Sequence, residues 1–235
     1  MSRQQSGAKG LRQSLSEYDA KQFLKPFGVP VVEESVAAGA GQAAEAAARI
    51  GFPVVLKALG STLLHKTEAG LVHMNLFDET AVKRAAEEIA GQAGAALEGF
   101  LVQPQVSAKR EFVAGMFRDP EYGPVVMFGL GGIFTEAFSD VVFRLAPLSA
   151  EDARDMIDEI RSRALLDSFR GEAAADLAML VSTLTGISRA ALEYPDVAEI
   201  DINPLLITQD GTVVAVDALV VKAPIPEGKK FLPAV

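Results

Sequence analysis

Glu199-Ile200-Asp201-Ile202-Asn203-Pro204 alternates polar and apolar residues, and Gln209-Asp210-Gly211 separates it from a second apolar run, Thr212 to Val221, that carries Asp217. Alternation on both sides of a glycine-containing turn predicts two antiparallel strands. With a side-chain period of two, Asp201 and Asn203 share one face, while Ile200 and Ile202 point the other way into a core. Loop length then decides the chemistry. A two-residue Asp-Gly loop would set Asn203 opposite Ala218 and turn Asp217 away. A three-residue loop, Gln209 to Gly211 with Gly211 left-handed, sets Asn203 opposite Asp217. Two carboxylates and an amide on one ribbon are hard oxygen donors of the kind Mg2+ takes, with phosphate oxygens and waters completing its shell. The plain alternative is three ordinary polar residues at strand ends.

Working outward, Ser16 precedes a helix over Glu17 to Leu24 with acids in its first turn, closed by Pro26 and Gly28. Val29 to Val32 reads as a strand, Ala43 to Ile50 as a helix, and Val54 to Ala58 as a buried strand. Gly60 to Gly70 is polar and irregular. Leu71 to Leu76 and Leu101 to Val106 read as strands, with an amphipathic helix over Thr80 to Ala90 between them. From Glu111 the strand runs Glu111 to Arg118, Pro124 to Gly129 and Val141 to Leu145 look antiparallel, and helices follow over Ala150 to Arg161 and Glu172 to Glu193. The change of character near residues 103 to 110 predicts two α+β halves, 15–103 and 104–222, facing a cleft, with residues 1–14 and 223–235 as flexible termini.

Bulk composition narrows the function. The 235 residues are 49% hydrophobic and 23% charged, enough for a substantial core. A net charge of -9 argues against nucleic acid or an anionic membrane as general partner. Cysteine is absent, which removes disulfides, thiolate metal sites and cysteine nucleophiles, and fits a reducing compartment. No secretory signal or run of about 20 apolar residues is visible, so the expectation is a soluble, cytoplasmic protein.

Several other residues carry chemistry. Lys57 lies inside an apolar strand, where an unpaired ammonium is costly, so it either snorkels to solvent or meets an anion such as phosphate. Ser61 to Gly70 gathers hydroxyls, His65 and Lys66 between two strands. His65 is either a solvated loop residue or a phosphoryl carrier through its neutral ring nitrogen; His73, in an alternating strand, reads as structural. Gly129-Leu130-Gly131-Gly132 fits neither the P-loop nor the dinucleotide pattern, and its glycines permit close backbone approach. Asp140 and Arg144 follow, the arginine fork suiting phosphate or carboxylate alike.

Taken in order, Val54-Val55-Leu56-Lys57-Ala58, His65-Lys66-Thr67-Glu68, Val102-Gln103-Pro104-Gln105-Val106, Glu111-Phe112-Val113-Ala114-Gly115, Arg118-Asp119-Pro120 through Gly129-Leu130-Gly131-Gly132, and Asp201-Ile202-Asn203-Pro204 resemble one family. It is the ATP-grasp β-subunit of ADP-forming acyl-CoA synthetases such as ADP-forming acetate–CoA ligase, related to the succinyl-CoA synthetase β-subunit. The resemblance runs from Leu15 to Lys222. It implies an ATP-grasp fold, an acid–thiol ligase activity, and ATP or ADP with Mg2+ as cofactors. It also implies residue roles: Lys57 on nucleotide phosphate, the backbone of Gln103, Pro104, Gln105 and Val106 at adenine, Glu111 near the ribose, and Asp201, Asn203 and Asp217 on the metal. His65 is implied as a second phosphoryl carrier. Apart from the resemblance, the cations Lys57 and Arg144 are expected to neutralise charge during transfer. The implied partner is a CoA-binding α-subunit bearing the first phosphohistidine, in an α2β2 assembly. Two other readings fit the same fold: a carboxylate–amine or carboxylate–thiol ligase, and a nucleotide-sensing subunit without turnover.

Overall fold

A computed structural model gives the fold and describes residues 12–60, 63, 66, 69–132, 140–168 and 170–224. Two antiparallel sheets organise them. The larger runs β1 (Gln13–Ser14), β11 (Leu219–Lys222), β9 (Val197–Thr208), β6 (Ala108–Asp119), β7 (Gly123–Leu130), β8 (Val141–Leu145), with β10 (Val213–Ala215) also on β9. The smaller runs β2 (Ser35–Ala37), β5 (Gly99–Pro104), β3 (Val54–Leu59), β4 (Val72–Leu76). Helices α1 (Glu17–Leu24), α2 (Ala40–Ile50), α3 (Glu79–Ala93), α4 (Ala150–Glu159) and α5 (Leu177–Glu193) complete it. None of the described helices is long and apolar enough to cross a membrane.

Local signals start these helices. Ser16, Asp78 and Asp176 cap α1, α3 and α5 by accepting from first-turn backbone N–H groups, and Ser149 with Asp152 forms a reciprocal capping box on α4. Packing then fixes which strand face is covered. In the small sheet Val54, Leu56, Ala58, Phe100 and Val102 meet an alanine-rich surface of α2 and α3. The opposite face carries Val55, Lys57, Leu101 and Gln103, paired Lys57 with Leu101 and Val55 with Gln103, and it is buried too. In the large sheet Met116, Val126, Ile200, Ile202 and the stacked pair Phe112 and Phe128 form a core with α1, α4 and α5.

The ribbon has the register its loop demands. Thr208 and Thr212 close a three-residue loop, Gln209 to Gly211, with Gly211 at φ 89°. Pairs Ala215 with Leu205 and Leu219 with Asp201 keep one register on both sides of a gap at Val216 to Ala218. Asp217 therefore stands across from Asn203. On the other side, Phe112 pairs Leu205 and Ala114 pairs Ile202, so Asn203 and Pro204 together oppose Val113 as a bulge. Proline, lacking an N–H, is at home there. The bulge resets the alternation, so Ile200, Ile202, Leu205 and Ile207 all face the core.

Four expectations are corrected. Val29 to Val32 is not a strand: Val31 forms one isolated parallel bridge to Ala215, and the strand of that region is Ser35–Ala37. Glu172 to Asp176 are not helical, because Asp176 caps α5 and Ala173 and Ala175 bond elsewhere. The half drawn at 15–103 does not form one core, since Ala20, Leu24, Phe27 and Val29 pack with the large sheet. Gln13 and Ser14, placed in a flexible terminus, pair with β11.

A methyl group on Gly211 would sit 2.1 Å from the Ala174 carbonyl oxygen in a left-handed conformation. Gly211→Ala should cost about 2–4 kcal/mol in urea unfolding. Gly91→Ala in α3, where a methyl meets nothing within 4 Å, should instead gain about 0.5–1 kcal/mol.

Candidate functional site

Period two on β9 places Glu199, Asp201 and Asn203 on the face away from the large core, and the shared register brings Asp217 to them. Asp201 and Asp217 are partly buried and lie close enough to repel. Burial, then Glu199, then Asp217 push the Asp201 carboxyl from 3.8 up to about 6. Asp217 is also raised, by burial first, with Lys57 pulling it down and Glu17 pushing it up. Two carboxylates and an amide on one face, with Asp201 short of a positive partner, suit a hard divalent cation. Among the described residues no three His, Cys, Asp or Glu side chains gather to cage a metal.

Beside the ribbon lies a cluster of buried charges. Glu17 accepts at Oε1 from Lys57 Nζ at 2.6 Å and Lys21 Nζ at 3.0 Å, and at Oε2 from Lys66 Nζ at 2.9 Å. Burial pushes the Glu17 carboxyl up, but the ammonium groups of Lys57, Lys21 and Lys66 outweigh it and hold it at about 2. Lys21 is wholly buried; it donates to Gln103 Oε1 at 3.1 Å and the Val216 carbonyl at 3.3 Å, and pairs with Glu34. Lys57 donates to the same Val216 carbonyl at 3.0 Å and lies 3.6 Å from Asp217 Oδ2. Burial lowers the Lys57 ammonium pKa, but Glu17 and then Asp217 raise it further, so it stays charged. The break in the ribbon at Val216 thus gives both lysines a carbonyl.

The structure brings Lys57, Asp201, Asn203 and Asp217 together and disposes the other expected residues differently. Gln103 turns its side chain inward to Lys21, leaving its backbone to pair with Val55. Pro104 pairs with Val54, Gln105 N donates to the Pro53 carbonyl, and the Gln105 side chain exchanges hydrogen bonds with Asn75. Val106 lies in the short link to β6. Glu111 sits against the glycine turn: Gly131 N donates to its carbonyl at 2.8 Å, and a methyl on Gly132 would come 2.8 Å from its Oε2. His65 lies outside the described residues, although its neighbour Lys66 is fixed on Glu17. His73 on β4 faces Glu88 at 3.7 Å.

Arg144 is a correction. Its cross-strand row is Val126, Met116 and Ile200, the core face, whereas the row of Asp201 is Gly115, Met127 and Phe143. It lies on edge strand β8, three strands from β9, and pairs with Glu159 of α4. Asp140 is likewise structural, accepting from the backbone N–H groups of Arg161 and Ser162.

Glu17, Lys21 and Glu34 escaped sequence reasoning. Glu17 and Lys21 look like a solvated i,i+4 pair, yet Glu17, Ala20, Lys21 and Leu24 are the buried face of α1. A charge pair on an apolar stripe was the available signal. A separate crevice of about 400 Å³, lined among others by Ser16, Tyr18, Asp19 and Glu98, opens beside α1 and includes none of these site residues.

A model of the ATP-grasp domain family matches residues 6–221. The acetate–CoA ligase [ADP-forming] I subunit beta of Pyrococcus furiosus is 39% identical over 216 residues, covering 90% of this chain and 93% of that protein. Among solved structures, a dinucleotide forming acetyl-coenzyme A synthetase 1 of Ca. Korarchaeum cryptofilum, in complex with coenzyme A, Ca-AMPCP and HgCl+, superimposes with a TM-score of 0.84. It is 39% identical, with 89% of this chain and 93% of that one covered. The same synthetase in complex with coenzyme A and Mg-AMPPCP, its phosphohistidine segment pointing towards the nucleotide binding site, gives 0.78 at 38% identity over the same shares.

Because the Asp201 carboxyl is raised, its charged form is disfavoured by folding, and the cost grows as pH rises from 3.8 through about 6. Without metal, Asp201→Asn should be more stable than the parent by on the order of 2 kcal/mol at pH 7.5, with no gain below pH 3.8. Thermal melts across pH check it.

Proposed function

The chain belongs to the ATP-grasp domain family, among the β subunits of ADP-forming acetate–CoA ligases, and we propose that it is the nucleotide-binding subunit of such an enzyme. The overall reaction is acyl-CoA + ADP + phosphate ⇌ carboxylate + CoA + ATP. The observation that carries this reading is the meeting of the two sheets, where a buried Lys57 ammonium lies 3.6 Å from Asp217 on the carboxylate ribbon. A polyphosphate with its cation needs those two opposite charges side by side.

In this reading Lys57 holds phosphate, the backbone of Gln103 to Val106 meets the adenine, and Glu111 meets the ribose hydroxyls. Asp201, Asn203 and Asp217 would hold Mg2+, which when bound neutralises the charge on the phosphates. His65 receives the phosphoryl group from a histidine of a CoA-binding α-subunit and passes it to ADP. The P–N bond breaks, a P–O bond to the terminal ADP oxygen forms, and the imidazole recovers a proton from solvent. Such a transfer needs in-line positioning and charge neutralisation more than a protein base. The geometry keeps Arg144 out of that machinery. The assembly is α2β2 and cytoplasmic, and binds neither nucleic acid nor membrane.

The chain incubated with ATP and Mg2+ should gain acid-labile, base-stable phosphate. His65→Ala should keep nucleotide binding and lose that label, and with it transfer between reconstituted subunits. Wild-type turnover by His65→Ala would overturn the relay, and nucleotide binding without any label in the parent chain would leave a sensor.

A further inference from the structure

The three lysines around Glu17 come from separate places: Lys21 from α1, Lys57 from β3, and Lys66 from the link between β3 and β4. Among the described residues their acceptors differ. An ammonium has three N–H groups. Lys21, wholly buried, has acceptors in Glu17, Gln103 and Val216 as well as its pairing with Glu34. Lys57 gives two donors to Glu17 and Val216 and directs its remaining charge toward Asp217. Lys66, whose side chain is 15% exposed, donates to Glu17 Oε2 among the described residues.

One carboxylate therefore grips three cations, Lys21 and Lys57 on Oε1 and Lys66 on Oε2, and so ties Lys57 and Lys66 to opposite oxygens beside the ribbon. The separation of those cations is limited to the span of a carboxylate plus two hydrogen bonds. Left to themselves, two ammonium groups that close would repel, and Lys57 would relax onto Asp217, the anion already 3.6 Å away. That collapse would take from the ribbon a carboxylate that a divalent cation needs.

We propose that Glu17 is a positioning residue for phosphoryl transfer: its buried carboxylate holds Lys57 and Lys66 as a fixed pair of cations facing the nucleotide polyphosphate, and keeps Lys57 from neutralising Asp217. This deepens the nucleotide-binding reading above and rests on it. Glu17 itself touches no reacting atom. Lys66 becomes a second phosphate cation, and the pair Glu17–Lys66 acts as a unit.

The test measures binding of Mg-AMPPCP to the full-length chain by calorimetry at several Mg2+ concentrations. Glu17→Gln and Lys66→Met should each weaken binding by about tenfold, the loss of one charge-assisted hydrogen bond. The double variant should be no weaker than the worse single, as partners in one interaction require. Lys66→Arg should return binding to within about threefold of the parent. Glu17→Gln should also raise the Mg2+ concentration needed for half-maximal nucleotide binding, a change that simple loss of packing would not select. Additive single effects, parental affinity in Lys66→Met, or an unchanged Mg2+ requirement in folded Glu17→Gln would each overturn the proposal. If Glu17→Gln does not fold by circular dichroism, Lys66→Met against Lys66→Arg decides: loss without rescue, or no loss, refutes it. A parent chain that binds no Mg-AMPPCP would instead refute the nucleotide-binding reading, so the two failures are separable.

Discussion

One carboxylate, Glu17, accepts from three ammonium groups, and much of the arrangement between the two sheets depends on that contact. α1 packs in the core of the large sheet, Lys57 and Gln103 lie on the inward face of the small one, and the Val216 carbonyl belongs to the ribbon. Burying this many charges costs several kcal/mol per ion before their attraction is counted, so the cluster is not an efficient source of stability. Its effect is geometric. An apolar replacement would tolerate small slides of one sheet over the other, whereas directional charged hydrogen bonds tolerate few.

The large sheet meets a related constraint with glycine. A methyl on Gly115 would lie 2.5 Å from the Ile200 carbonyl oxygen, and Gly115 is the residue paired with Asp201. The strand beside the Asp201 carboxylate is thus held at backbone contact. The bulge at Asn203 and Pro204 does complementary work. It lets Asp201 and Asn203 face outward while Leu205 and Ile207, two and four residues on from Asn203, return to the core.

The ribbon was legible in the sequence because period two and one loop length are local rules, and together they fix which residues oppose which. Lys57 was half legible. An ammonium in an apolar strand demands an anion, but the anion is Glu17, 40 residues away in sequence, and no local pattern names it. Lys21 was hidden because an i,i+4 Glu–Lys pair is also what a solvated helix face shows, and only tertiary packing decides which face is covered. Arg144 failed for a different reason. Its orientation relative to Asp201 depends on three successive strand registers, and a one-residue slip in any of them reverses the answer. Val29 to Val32 had strand propensity, but the chain there meets β10 at a single bridge, so propensity had no ladder to join.

The charges also divide by how well they are compensated. Glu17 is held far down, at about 2, because three cations surround it, while Asp201 is pushed up to about 6 and Asp217 is raised as well. Folding has completed the first group and left the second short of positive charge. A carboxylate kept only for architecture gains nothing from such a deficit, since neutral residues of similar size would fill the space at lower cost. A deficit is useful when something positive arrives later. Asp217 joins the two groups, 3.6 Å from a lysine that Glu17 already holds, so a cation on the ribbon and an anion on the lysine each relieve the position the other leaves strained. Placed this way, the two groups together favour a ligand carrying both charges at once over either charge alone.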